Sequence, residues 1–195
     1  MTKKVGILLA GGMSRRYGSQ KAFAKVEGAF FYEKSYAALQ AVCDHVVVVT
    51  REELFDLFPI HYTLLTDMEP YVGCGPLAGI YTAMMHTDAE QYVVLPCDMP
   101  LIHPNIMKHL LTRHQTEITV VEVASRLQPL VSVWNRSTKK KIAFALQKKQ
   151  YRMRDVFDIS SIIKVDGESL TDHLEVFMNI NTLEQDKEMR KWLES

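Results

Sequence analysis

Three short segments of the chain are almost continuously apolar, and this feature restricts its fold more than any other. They read V-G-I-L-L-A at residues 5–10, H-V-V-V-V-T at residues 45–50 and Q-Y-V-V-L-P at residues 91–96. Unbroken runs of this kind, rich in β-branched residues, are typical of strands that are buried on both faces, as in a parallel sheet. A shorter segment, Y-T-L-L-T at residues 62–66, predicts a further strand.

Helical patterns separate these strands. Apolar residues recur at helical spacing over residues 31–42, which predicts a first helix. Residues 77–85, with Pro76 in the first turn, predict a second helix, and residues 106–112 predict a third. Proline suits the first turn of a helix, which supports the start at Pro76. Alternating strands and helices predict an α/β fold with three layers, in which helices cover both faces of a mostly parallel, twisted sheet.

The second half of the chain is less regular. Residues 117–123 and 129–134 predict a strand pair joined by A-S-R-L-Q, followed by a basic helix over residues 137–149 and a strand over residues 159–165. The last helix begins at T-L-E-Q, residues 182–185, which has the capping-box pattern. A length of 195 residues predicts one domain, residues 1–195.

The charge balance excludes several classes of partner. Lysine plus arginine total 23, as do aspartate plus glutamate, so no overall field attracts nucleic acid or an anionic membrane. No apolar run reaches the ~18 residues of a membrane helix and no signal-peptide pattern is present, so we expect a cytoplasmic protein. The three cysteines and seven histidines lack the spacing of a disulfide framework or a zinc site.

The loop after the first strand, A-G-G-M-S-R-R-Y-G-S-Q-K at residues 10–21, combines glycines with cations. It does not match the P-loop pattern, because two residues separate Gly18 from Lys21. Gly11 and Gly12 still allow backbone N–H groups to approach phosphate oxygens, and Arg15 and Lys21 supply positive charge. A solvated basic turn is the alternative, and the loop alone does not decide between the two.

Two aspartates follow other predicted strands, namely Asp67 and Asp98. Binding sites in α/β sheets collect at the carboxyl ends of the strands, where both aspartates and the glycine-rich loop are expected to converge. Asp98 lies in P-C-D-M-P, where prolines stiffen the backbone, and its carboxylate suits Mg²⁺ that also binds substrate phosphates. Without the loop, a turn or helix-capping role for this aspartate is the better interpretation.

Two further motifs admit a functional interpretation. G-C-G-P-L-A at residues 73–78 fits the dinucleotide pattern G-x-G-x-x-A, but it does not directly follow a strand, which argues against NAD binding. The basic segment at residues 148–154 fits the solvent-exposed side of the predicted helix and the residues that directly follow it. In an alternative interpretation, Arg152 or Arg154 holds an anionic second substrate.

Taken in chain order, several motifs resemble the molybdenum cofactor guanylyltransferases of the Mg²⁺-dependent nucleotidyltransferase superfamily. The motifs are L-A-G-G-M-S-R-R-Y-G-S-Q-K-A from residue 9, T-D at residues 66–67, G-P-L-A-G-I from residue 75, P-C-D-M-P-L from residue 96 and N-I-N-T from residue 179. The resemblance covers nearly the whole chain. The first loop is shared across the superfamily, so the narrower assignment depends on P-C-D-M-P together with N-I-N-T.

This resemblance implies a Rossmann-like nucleotidyltransferase fold, with a nucleotide-binding half at about residues 1–105 and an acceptor-binding half at about residues 106–195. The implied activity transfers the GMP moiety of GTP to molybdopterin and releases pyrophosphate. The implied partners are GTP, molybdopterin and, transiently, molybdoenzymes or cofactor-delivery proteins. The implied metal is Mg²⁺.

The resemblance also implies roles for individual residues. The catalytic residues are Arg15, Lys21 and Asp98; Asp98 also binds Mg²⁺, and Asn179 and Asn181 lie on the acceptor side. The residues that contact GTP are Leu9, Ala10, Gly11, Gly12, Lys21, Asp67 and Asp98.

The chain departs from the family pattern in three places. Tyr17 stands where members often have methionine, a change that the position beside the loop tolerates. Leu183 and Glu184 replace the usual Pro-Glu, while the Thr182 cap preserves the helix start. Val49 is followed by Thr50 where some members carry an asparagine, so that contact must come from elsewhere.

The motifs leave the nucleotide base open. Transfer from CTP to molybdopterin, or from a nucleoside triphosphate to a sugar phosphate, fits the same loop and Asp98. A non-catalytic nucleotide-binding regulator is the alternative from another class, although the presence of both Lys21 and Asp98 favours an enzyme.

Overall fold

The fold is built on one large sheet, seen in a computed structural model that describes residues 2–14 and 16–194. The strands are β1 (Lys4–Leu9), β2 (Lys25–Val26), β3 (Ala29–Phe30), β4 (His45–Val49), β5 (Thr63–Leu65), β6 (Gln91–Pro96), β7 (Ile118–Val123), β8 (Arg126–Asn135) and β9 (Ile162–Asp166). Seven of them form the sheet, in the order β5-β4-β1-β6-β8-β7-β9, and β2 and β3 form a separate hairpin.

The first four strands of this order run parallel. Leu9 at the end of β1 pairs with Val49 of β4 on one side and with Pro96 of β6 on the other, and β5 continues the parallel pairing beyond β4. β8 is antiparallel to both β6 and β7, and β9 is parallel to β7. The carboxyl ends of β5, β4, β1 and β6 therefore lie side by side at one edge of the sheet.

Helices cover both faces of the sheet. They are α1 (Phe31–Gln40), α2 (Pro76–His86), α3 (Pro104–Thr112), α4 (Thr138–Gln147), α5 (Met153–Phe157) and α6 (Leu183–Leu193). Most buried hydrophobic residues of α1 and α3 belong to one core cluster, and most of those of α2, α4 and α5 belong to a second cluster on the opposite face. The predicted three-layer, mostly parallel α/β architecture is confirmed.

The valine run of β4 shows why the parallel strands have no polar face. Val46 and Val48 lie in the core cluster that contains α1, whereas Val47 and Val49 lie in the cluster that contains α2. All four side chains are at most 4 % exposed. Because alternate residues of a strand point to opposite faces, burial on both sides requires an unbroken apolar run.

The structure corrects three details of the second half and the first loop region. The predicted A-S-R-L-Q connection is wrong, since β8 already begins at Arg126 and the turn consists of Ala124 and Ser125. Both turn residues have left-handed backbone angles, with φ of 47° and 61°. The short helix α5 and the β2–β3 hairpin were not predicted.

Within residues 2–14 and 16–194, no helix has the length and apolar character to cross a membrane.

Candidate active site

A cleft of about 880 Å³ lies at the carboxyl ends of β1, β4, β5 and β6. Because these strands are parallel, the segments that follow them meet at this edge, as expected from the positions of the motifs in the sequence. Seven residues predicted to contact the nucleotide line the cleft: Leu9, Ala10, Gly11, Gly12, Lys21, Asp67 and Asp98.

The loop after β1 folds back on itself through Ser14. The Ser14 hydroxyl oxygen accepts a hydrogen bond from the backbone N–H of Lys21 at 3.1 Å. The backbone carbonyl of Ser14 accepts one from the N–H of Tyr17 at 3.0 Å. Ser14 has φ of 48°, the left-handed conformation that lets the chain reverse here. A Cβ added to Gly12 would meet no atom within 4 Å, so the backbone at this position borders open space in the cleft.

Lys21 is held in place by two acceptors. Its Nζ donates to Oδ2 of Asp98 at 2.8 Å and to Oδ1 of Asn181 at 2.6 Å, and its side chain is only 10 % exposed. An ammonium group has three N–H donors, and no other described residue accepts from this one. One donor of a fixed cation therefore remains for an anionic ligand in the cleft.

Asp98 has one carboxylate oxygen without a partner. Oδ2 accepts from Lys21, whereas Oδ1 is shielded from solvent and has no hydrogen bond from any described residue. A buried polar atom in this state is costly unless a ligand satisfies it, and a hard divalent cation is the ligand that a carboxylate oxygen suits. The described residues contain no cluster of three or more His, Cys, Asp or Glu side chains that fits a metal. The remaining ligands of a cation here must come from substrate and water.

The segment before α6 reaches back to the end of β6. The backbone N–H of Ile180 donates to the carbonyl of Asp98 at 2.8 Å, which brings the next residue, Asn181, onto Lys21. The Gln185 side chain accepts from the N–H groups of Asn181 and Thr182, and the Thr182 hydroxyl oxygen accepts from the N–H of Gln185. The predicted capping box is confirmed, and it fixes the segment that carries Asn181.

Tyr17 connects the glycine-rich loop to α6. Its side chain is buried, and its hydroxyl donates to Oδ2 of Asp186 at 3.1 Å. Burial and the neighbouring Asp186 carboxylate raise the pKa of Tyr17 to about 12, so the hydroxyl stays protonated and available as a donor. A methionine at this position has no such donor, so Tyr17 makes a specific contact in this chain.

Asp67 lies at the end of β5 and shapes the opposite part of the cleft. Its Oδ2 accepts from the backbone N–H of Gly73 at 3.1 Å. Burial raises the pKa of the Asp67 carboxyl above its ordinary value, and the Gly73 hydrogen bond partly opposes this shift. A Cβ added to Gly79 of α2 would lie 2.9 Å from Cδ2 of Leu9 and 3.5 Å from Oδ1 of Asp67. Glycine at this position therefore allows α2 to pack closely behind the cleft.

The family of the chain follows from a comparison with known proteins. Residues 6–168 match the family model of the MobA-like NTP transferase domain. The chain belongs to this family. The resemblance stated from the motifs is thereby confirmed, as is the expectation that the chain is a nucleotidyltransferase.

Relatives of this MobA-like NTP transferase carry more specific names. A protein of Geobacillus sp. (strain WCH70) named "Probable molybdenum cofactor guanylyltransferase" is 38 % identical over 93 % of this chain and 95 % of its own length. A protein of Bacillus subtilis (strain 168) with the same name is 36 % identical over 92 % of this chain and 91 % of its own. The crystal structure of molybdopterin-guanine dinucleotide biosynthesis protein A from Archaeoglobus fulgidus has a TM-score of 0.81, covers 98 % of both chains and is 22 % identical, which confirms the fold.

Some predicted site residues of this MobA-like NTP transferase lie outside the cleft. Arg15 falls outside the described residues. Asn179 and Asn181 are half-buried, and neither is among the described residues that line the cleft. Asn181 instead accepts a hydrogen bond from Lys21, which does line the cleft. Arg152 and Arg154, the alternative anion ligands, are exposed, and Arg154 pairs with Asp158 at 3.6 Å.

Sequence reasoning missed Arg51, which directly follows Thr50 after β4 and lines the cleft. A Cβ added to Gly11 would lie 3.8 Å from the backbone nitrogen of Arg51, which places the two loops side by side. The signal was present in the sequence, because Arg51 stands at the carboxyl end of a predicted strand just as Asp67 and Asp98 do. The family pattern drew attention only to the position before it, where some members carry an asparagine.

Proposed function

We propose that this MobA-like NTP transferase moves the GMP moiety of GTP to molybdopterin, forming the guanine dinucleotide cofactor and releasing pyrophosphate. The substrates are those that the names of its relatives indicate. The observation that carries the proposal is the fixed ammonium group of Lys21, held by Asp98 and Asn181 in a cleft large enough for a nucleotide. Such a group suits the binding of a triphosphate.

The proposed reaction is an in-line displacement at the α-phosphorus of GTP. An oxygen of the terminal phosphate of molybdopterin forms a bond to this phosphorus, while the bond to the bridging oxygen breaks and its electron pair leaves with pyrophosphate. A phosphate monoester has a second pKa of about 6, so the nucleophile is ionised at neutral pH. No residue of the chain has to act as a general base.

The chain contributes position and charge. The free donor of Lys21 binds a phosphate oxygen, and the two existing hydrogen bonds of its ammonium group keep it from reorganising as charge moves to the leaving group. Gly11 and Gly12 allow the phosphates to approach the backbone of the loop. Arg15 remains a predicted catalytic residue, and residues 106–195 remain the predicted acceptor-binding half of a single domain.

Asp98 is the residue proposed to hold Mg²⁺. Its unpartnered Oδ1 supports this role, as does the preference of Mg²⁺ for one or two carboxylates together with phosphates and water. When bound, Mg²⁺ offsets negative charge on the phosphate oxygens.

The experiment supplies molybdopterin, Mg²⁺ and GTP labelled on its α-phosphate, and follows label in the cofactor together with pyrophosphate release. We expect both with GTP and neither with CTP, ATP or UTP at equal concentration. Asp98→Ala and chelation of Mg²⁺ should each abolish transfer. Arg136→Met is the control for loss of a charged side chain outside the cleft. Arg136 lies beyond β8 near the amino end of β6 and pairs with exposed Asp88.

Three outcomes contradict the proposal. Transfer from CTP alone would refute guanylyl transfer in favour of cytidylyl transfer. Acceptance of sugar phosphate but not of molybdopterin would refute the acceptor. Binding of GTP without pyrophosphate release with any acceptor would show a regulator instead of an enzyme.

A further inference from the structure

Arg51 is a cleft residue that the proposed reaction does not use. Of the described residues that line the cleft, only Lys21 and Arg51 are cationic. Lys21 has its role at the phosphates, whereas Arg51 stands at the end of β4, two strands away from Asp98 at the end of β6. Strand spacing puts these two backbone positions about 10 Å apart.

The guanidinium of Arg51 is only partly satisfied. Its Nη1 pairs with Oε1 of Glu53, whose side chain is 62 % exposed. Its Nε and Nη2 are shielded from solvent and have no acceptor among the described residues. Unsatisfied buried donors are costly and rare in native proteins, so these two donors point to a ligand that accepts from them. Because Glu53 is exposed, its contact can be released easily, which allows the guanidinium to turn toward a bound ligand.

The charge around Arg51 argues against a phosphate as that ligand. The segments after β4 and β5 contribute Arg51, Glu52, Glu53, Asp67 and Glu69 to the cleft wall. Four carboxylates against one guanidinium make this end acidic, and a triphosphate would be repelled there. The uncharged part of the nucleotide, its base, fits this end, while the phosphates lie near Lys21.

We propose that Arg51 is a specificity-determining residue that reads the O6 and N7 acceptors of guanine with its Nε and Nη2 donors. Arginine pairs bidentately with these two atoms in other recognition settings, and it offers no acceptor. Adenine carries an amino group where guanine has O6, so it would present a donor to a donor, and the pyrimidine bases have no N7 acceptor. The proposal rests on the proposed use of GTP and deepens it by naming the group that selects the base.

The test compares the dissociation constants of GTP and 7-deaza-GTP, which lacks the N7 acceptor, for the wild type and for Arg51→Met. The wild type should bind GTP about 10-fold more tightly than 7-deaza-GTP, as expected for one charge-assisted hydrogen bond. Arg51→Met should weaken GTP binding roughly 10- to 100-fold and abolish the difference between the two nucleotides. Arg136→Met should behave as the wild type.

A second variant and a second ligand distinguish base reading from a simple effect of charge. Arg51→Lys keeps the charge but removes the planar fork, so it should also lose the discrimination against 7-deaza-GTP. The loss caused by Arg51→Met should be equal for GTP and GMP, since both carry the same base. Thermal melting of each variant verifies that it is folded.

The outcomes separate this inference from the proposed function. If Arg51→Met weakens GTP and 7-deaza-GTP by the same factor, or acts on GTP but not on GMP, base reading by Arg51 is refuted while guanylyl transfer stands. If the wild type binds no GTP, the proposed function fails, and this inference fails with it.

Discussion

Removing the carboxylate of Asp98 should affect stability as well as turnover. In Asp98→Ala the buried ammonium group of Lys21 keeps only the Asn181 acceptor. Breaking one partner of a fully buried ion pair costs about 3–5 kcal/mol. The side chains here are 10 % and 19 % exposed and one hydrogen bond survives, so we expect a loss of about 2–3 kcal/mol in the free energy of unfolding. For a chain of this length, the melting temperature should fall by about 5–10 °C.

The double variant Lys21→Met/Asp98→Ala separates the two roles of the pair. Because it removes the unpaired cation as well, it should recover at least half of the lost stability, and yet it should transfer no GMP. Thermal melting gives the first quantity and release of pyrophosphate from GTP the second. If Asp98→Ala melts within 1 °C (an interval of about 0.25–0.5 kcal/mol) of the wild type, or if it retains turnover, the reasoning about this pair is wrong.

Three further predictions concern contacts away from the Lys21–Asp98 pair. Tyr17→Phe removes the hydrogen bond to Asp186 and should lower the free energy of unfolding by about 1–2 kcal/mol in urea titrations; an unchanged midpoint would show that the bond contributes nothing. Burial lowers the pKa of His114 below its ordinary value of 6.5, so the folded state favours the neutral imidazole. Its contribution to stability is therefore present above pH 6.5 and lost as the pH falls toward the lowered pKa, and His114→Gln should flatten the stability profile in that window. Ala124→Asn with Ser125→Gly suits the left-handed turn and should raise stability by about 1 kcal/mol with unchanged activity; a lower melting temperature would contradict the turn assignment.

The strands and most helices were predictable because their signals are local. The valines of β4 are apolar on both faces for the reason that the sequence already indicated, and Pro76 does begin α2. The turn between β7 and β8 was missed because Ala124 and Ser125 lack the Asn-Gly chemistry that normally marks left-handed turns. There, pairing of the strands overrides the local preference of the two residues.

Only the part of the site that follows from the sheet topology could be predicted from the sequence. Asp67, Asp98 and the glycine-rich loop had to converge, because parallel strands end at the same edge. The contact between Lys21 and Asn181 spans 160 positions and that between Tyr17 and Asp186 spans 169, and no spacing rule predicts such pairs. The same limit explains why Tyr17 looked like a neutral replacement in the sequence.

The contact of Asn181 with Lys21 has a consequence for synthesis of the protein. A growing chain has completed the loop, β1 and β6 when about half of it is made, but the ammonium group lacks its second acceptor until residue 181 leaves the ribosome. The proposed nucleotide site is therefore completed only when residue 181 has been made, although nearly all of its lining comes from the first hundred residues. A chain that ends between residues 166 and 181 contains every strand of the sheet but lacks the second acceptor of Lys21, so we expect it to bind a nucleotide poorly.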